Sequence, residues 1–183
     1  MIFKENTDVK MFIGLSQFYD MTATLEETAT RETPKKLGGY DVPQTLDSIT
    51  FGMRLDLQDI NTDQDFLVKP LQLLAKFSED DILKLNAWDV IRFSHFVVSE
   101  LNRFAKRDAD NLKYKFDEEE IKAGIKQINH GVFGLIDVIA KRMNISHDQV
   151  LDLGQAKVFM MLKIDIDNAN YQKNLRDVFN SKS

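Results

Sequence analysis

Apolar positions recur at helical spacing over most of the chain. Asn86 and Asp89 resemble a capping pair in front of Val90, Phe93, Val97, Leu101 and Phe104, which return every three or four residues. This predicts a long helix to about Arg107, and the flanking Trp88, Ile91, Phe96 and Val98 widen its apolar face. Asp117, with Glu120 three residues on, opens a second pattern through Ile121, Ile125, Ile128, Val132, Leu135 and Ile139, expected to form one stripe on one helix. Ser146 and Gln149 form a capping box for a short helix that Gly154 interrupts, and a final helix is expected over about 155 to 179 with a possible break at 165–168. Upstream, Asp63 or Asp65 can cap a helix carrying Phe66, Leu67, Leu71, Leu74 and Phe77, which Pro70 bends or limits.

The first 60 residues read differently. Partial alternation from Ile49 to Leu57 predicts a short strand or extended segment. Residues 1–45 combine an apolar cluster (Met11, Phe12, Ile13, Leu15, Phe18, Tyr19, Met21) with a Thr-rich run from Thr22 to Thr33. A turn or linker around Pro34, Gly38, Gly39 and Pro43 follows. The expected architecture is mostly α: an N-terminal arm and linker over 1–45, then a compact, bundle-like helical domain of five or six helices with a short extended segment over 46–183.

Composition narrows the function classes. The 183 residues include 13 Phe and 43% apolar residues, enough for a substantial core. With 24 basic and 29 acidic side chains the formal charge is −5, which argues against general affinity for nucleic-acid backbones. The basic interval Arg103, Lys106, Arg107, Lys113, Lys115 is interrupted by Asp108 and Asp110, so no specific nucleic-acid binding is expected. Absence of Cys excludes disulfides and thiolate chemistry. No stretch of about 20 apolar residues predicts a membrane span, and the first residues lack signal-peptide character.

Candidate chemistry is sparse. His95, His130 and His147 lack metal-ligand spacing, and His95 reads as solvent or partner surface beside Arg92, Ser99 and Asn102. Asp165-Ile-Asp167-Asn-Ala-Asn170 lacks the Gly and terminal Glu of a calcium loop. Gly38-Gly39 after Lys35-Lys36 is not a phosphate-loop pattern, and Gly131 and Gly134 read as a kink or a close helix crossing. No nucleophile, base and orienting group can be assembled, so no enzyme activity, cofactor or metal is expected. The abundant Phe and Met on wide helical faces suit an assembly component, although an ordinary core uses the same residues.

Two segments carry a family resemblance. Leu46-Asp-Ser-Ile-Thr-Phe-Gly-Met-Arg-Leu-Asp-Leu57 resembles a segment that precedes the helical domain in small neck or tail-ring and tail-assembly proteins of bacteriophages infecting Bacteroidetes. Gly134-Leu-Ile-Asp-Val-Ile-Ala-Lys-Arg-Met-Asn-Ile-Ser-His-Asp-Gln-Val-Leu-Asp-Leu-Gly-Gln-Ala-Lys-Val-Phe159 is similar to the short-helix, break, long-helix ending of tail-assembly chaperones. The resemblance implies a virion protein, assembled in the host cytoplasm, that forms a homo-oligomeric ring against portal, neck or tail proteins. A chaperone of the tape-measure protein is the alternative within the family, and a small host-modulating or nucleic-acid-associated protein the alternative outside it. The expected interface residues are Phe12, Phe18 and Tyr19 in the arm and Phe51, Arg54 and Trp88 in the domain.

Overall fold

The structure, a computed structural model, describes residues 6–17, 27–28, 31–127 and 130–180. The protein is mostly helical. Among the described residues there are nine α-helices: α1 (Val9–Ser16), α2 (Phe51–Gln58), α3 (Asp63–Pro70), α4 (Glu79–Ile82), α5 (Ala87–Asn111), α6 (Glu118–Lys122), α7 (Gly131–Met143), α8 (His147–Leu151) and α9 (Gln155–Asn180). One antiparallel hairpin, β1 (Lys36–Leu37) and β2 (Tyr40–Asp41), is the paired-strand element among them. Its turn residues Gly38 and Gly39 both have positive φ, at 51° and 88°, the combination a tight two-residue hairpin requires and glycine supplies without strain. Packing divides the chain into two units, one of Met1–Leu46 with Leu55–Arg103 and one of Asp47–Arg54 with Phe104–Ser183.

In the first unit, Asp8 caps α1 by accepting from the Met11 N–H at 2.7 Å. The N–H groups of Val9 and Lys10 donate to the carbonyls of Leu85 and Leu83, and that of Ala87 donates to the Thr7 carbonyl. Residues 7–10 are thereby joined to the segment that opens α5, and Val9 is fully buried. Thr62, not Asp63 or Asp65, is the cap of α3. Pro70 ends that helix, and a π-turn (Leu71–Ala75) closes on Lys76 in the left-handed conformation. Along α5, Val90, Ile91, Phe93 and Val97 are fully buried, with Asn86 Oδ1 accepting from the N–H groups of Trp88 and Asp89. His95 sets its ring edge against Phe66 at 5.3 Å and is half-buried, which corrects its reading as surface.

In the second unit the expected extended segment is confined to Ile49 and Thr50. Thr50 bridges Gly154, the Phe51 N–H donates to the Leu153 carbonyl at 2.7 Å, and the Gln155 N–H donates to Ile49. From Phe51 onward the chain is helical, with Thr50 Oγ1 accepting from the Met53 N–H. The buried positions Phe51, Arg54 and Leu57 stand three apart, and because one of them is an arginine the apolar letters alone imitate strand alternation.

The long stripe from Ile121 to Ile139 is likewise broken. Helix α6 stops before Gly124 at φ 88°, a 3-10 turn (Ile125–Gln127) follows, and α7 begins at Gly131 with φ 54°. A Cβ on Gly134 would lie 2.7 Å from the His130 Cβ, so this glycine accommodates the residue that caps its own helix. Asn144, left-handed at φ 53°, ends α7. The predicted short helix, break and long helix are present as α8, 152–154 and α9. Helix α9 runs without interruption through 165–168.

Candidate protein interface

Four of the six residues expected at an interface lie within the described structure. Phe12 is buried and meets Trp88 edge-on, with ring centroids 6.3 Å apart. Trp88 is half-buried. Phe51 and Arg54 are both buried on α2. These side chains contribute to the packing of their own chain. Phe18 and Tyr19 lie outside the described residues.

Arg54 belongs to a polar network set on aromatic rings. Its guanidinium pairs with Asp108 at 2.6 Å and lies 5.3 Å from the Phe104 centroid. Arg107, one turn on from Phe104, also pairs with Asp108, donates to the buried Gln155 Oε1 at 3.0 Å and stacks 3.9 Å above Phe159. Arginine suits this place because its flat, weakly hydrated cation accepts a ring face and directs several donors in fixed directions. Two of the basic residues that the predicted interval places on α5 are thus tied into the fold, Arg107 as above and Arg103 through a forked pair with Glu100 at 2.8 and 2.7 Å, while Lys106 between them is exposed.

A second cluster fixes the segment after α5. Lys173 Nζ lies 3.3 Å from Asp117, 3.4 Å from Glu120 and 2.5 Å from the Lys115 carbonyl. Asp117 and Glu120 form a reciprocal capping box at α6, and the Tyr114 hydroxyl donates to Glu120 at 2.7 Å. The Glu120 backbone N–H holds the Asp117 carboxyl below its ordinary pKa, and the Tyr114 hydrogen bond does the same for Glu120. Burial favours neutral Lys173, but the bonds from Asp117 and Glu120 outweigh it and raise the ammonium's pKa. Glu120 in turn raises Tyr114 by binding its protonated hydroxyl. Asn170 adds bonds to the Lys113 carbonyl and the Lys115 N–H. The chemistry of this cluster is that of a clamp: ions paired with ions, and backbone ends satisfied.

Among the described residues, no group of three or more His, Asp or Glu is placed to hold a metal ion. His147 faces Asp137 at 3.4 Å and the edge of Phe133, while His130 is the exposed cap of α7. No helix among the described residues is long and apolar enough to cross a membrane.

Exposed large apolar side chains stand at Met11, Phe116 and Ile121, on α7 at Val132, Phe133 and Val138, and in greatest number on α9. Met160 is 51% exposed, Ile164 44%, Tyr171 59% and Val178 50%, and Phe179 beside them is 63% exposed. At 100° per residue the first four fall within a 40° sector of the helix, making one row about 27 Å long from Met160 to Val178. The sequence predicts this helix without showing which of its faces stays open. The legible signal was the seven-residue step Ile164, Tyr171, Val178, which returns to one face after two turns. Comparison of the chain with family models, curated proteins and solved structures finds no match.

Proposed function

We propose that this chain is a non-enzymatic structural subunit of a bacteriophage neck or tail ring, working by protein–protein contacts in the virion after assembly in the host cytoplasm. The observation that carries the assembly role is the exposed row Met160, Ile164, Tyr171 and Val178 on α9, an apolar strip of helix with area left for a partner. The phage setting rests on the resemblance of 46–57 and 134–159. The two conspicuous polar clusters, around Arg54 and around Lys173, support a structural reading because each holds parts of this chain together. Residues 7–12 and 36–41 pack within their own chain, so of the expected arm contacts that reading keeps Phe18 and Tyr19 as the residues that meet a neighbouring subunit.

The same row suits the second reading, a tail-assembly chaperone that receives a helical tape-measure segment, because one apolar helix face accepts another helix in either case. Two measurements test these readings. Light scattering of the full chain over a range of concentrations should give a discrete oligomer larger than a dimer, seen as rings by electron microscopy; a species no larger than a dimer counts against the ring. Mass spectrometry of mature particles should find the subunit, whereas its presence only in unfinished particles favours the chaperone.

A further inference from the structure

We infer that the exposed face of α9 pairs with the same face of a second copy of this chain, with the two helices antiparallel about a two-fold axis. In heptad terms, Ile164, Tyr171 and Val178 occupy successive a positions, and Met160, Asp167 and Asn174 occupy the d positions between them. Lys163, Asn170 and Asp177 then stand at the flanking g positions. The a and d row contains apolar residues and two polar ones, and the placement of the polar ones selects the orientation.

In a parallel pair each residue meets its own copy, so Asp167 faces Asp167 across the seam, a like-charge contact offset only by the Lys163 of each carboxylate's own helix. In an antiparallel pair a positions meet d positions. Val178 then packs on Met160, Tyr171 brings its hydroxyl to Asp167, and Ile164 covers the stem of Asn174. At the edges g meets g, which sets Lys163 of each copy opposite Asp177 of the other, once on each side of the axis. Lys163 is already paired with Asp167 on its own helix at 2.9 Å, so its ammonium would lie between two carboxylates. Symmetry makes the match isologous: every contact is made twice by the same surface. This charge pattern complements itself, and that points to a second copy rather than to an unrelated helix. Because the chain carries a formal charge of −5, opposite charges facing one another are also needed to offset repulsion between copies.

By sedimentation the full chain should associate with concentration through a dimer as its first step, whether or not larger species follow. Ile164→Asp with Val178→Asp should leave it monomeric with an unchanged helical spectrum, since both side chains are exposed in the single chain. Lys163→Glu, which reverses two pairs at once, should raise the dissociation constant about tenfold, and adding Asp177→Lys should restore it. The chain has no cysteine, so orientation can be read by oxidation. Mixed Met160→Cys and Val178→Cys chains should cross-link to each other, and neither should cross-link alone. A chain that stays monomeric at every concentration overturns the inference, including one whose row binds only a different helical protein. An oligomer indifferent to Ile164→Asp with Val178→Asp, or cross-linking of either cysteine variant alone, also overturns it. The ring reading fails separately: an α9-dependent dimer that grows no further supports the pairing and counts against the ring, while a ring untouched by these variants does the reverse.

Discussion

The two long helices differ by one residue in length, 25 in α5 and 26 in α9, yet they use their apolar residues in opposite ways. Helix α5 buries Ala87, Val90, Ile91, Phe93, Val97 and Phe104. Helix α9 buries Val158 among its apolar residues, together with Gln155 and Lys173, and leaves Met160, Ile164, Tyr171, Val178 and Phe179 open. In α5 the apolar residues gather on one side, so a single packed face consumes them. In α9 they are spread around the axis, so packing one side strands the rest. Apolar content therefore says how much surface wants to leave water, and angular distribution says whether one chain can hide it.

The largest effect that sharpens this contrast is Phe93→Ala on α5. Phe93 is fully buried and touches the rings of Tyr40 and Phe96, so its removal should cost about 3–5 kcal/mol. Urea unfolding followed by the fluorescence of Trp88, the chain's one tryptophan, measures it. Val97→Ala removes less volume from the same face and should cost about 1–3 kcal/mol by the same assay.

A smaller effect separates the buried side of α9 from that of α5, because Lys173 is held by charge. The carboxyl groups of Asp117 and Glu120 are depressed below 3.8 and 4.5. Their contribution is complete above those unfolded values, declines as pH falls below them and is gone below the folded values. Lys173, raised above 10.5, contributes fully below that value and loses its contribution as pH climbs through the folded one. Amide protection factors of 114–122, taken relative to the intrinsic exchange rate at each pH, should therefore fall at pH 3 relative to pH 6, while those at Val90–Val97 change less. Lys173→Met should flatten that difference between the two segments. The smallest effect belongs to the open row: Ile164→Ala or Phe179→Ala, measured at dilution, should change stability by no more than about 0.5 kcal/mol. A loss of several kcal/mol at either position would erase the contrast between the helices.

Helix α5 was legible because cap and periodicity agree: Asn86 precedes apolar residues at three- and four-residue steps, and the structure uses both signals. The capping boxes at Asp117 and Ser146 were legible for the same local reason. Helix α2 was not, because its buried stripe includes Arg54, whose partners Asp108 and Phe104 are more than 45 residues away in sequence. The break between α6 and α7 turns on left-handed glycines at 124 and 131, and a glycine inside a helical pattern does not announce its φ. The same limit governs the candidate interface. Phe12 and Ile164 are both apolar residues on amphipathic stretches, and only the tertiary contact with Trp88 distinguishes the covered side chain from the exposed one.

The division of the chain into Met1–Leu46 with Leu55–Arg103, and Asp47–Arg54 with Phe104–Ser183, also orders its biosynthesis. The polypeptide passes from one unit to the other three times, so no single cleavage releases either unit as one continuous piece. Thr7 and Val9 wait for Leu85 and Ala87 to leave the ribosome before their backbone bonds form. Ile49 and Phe51, synthesised earlier than most of the first unit, wait for Leu153 and Gln155. The second unit therefore closes only after Gln155 has been synthesised, and a nascent chain stopped before Leu153 displays Phe51 without the strand-like contact that receives it.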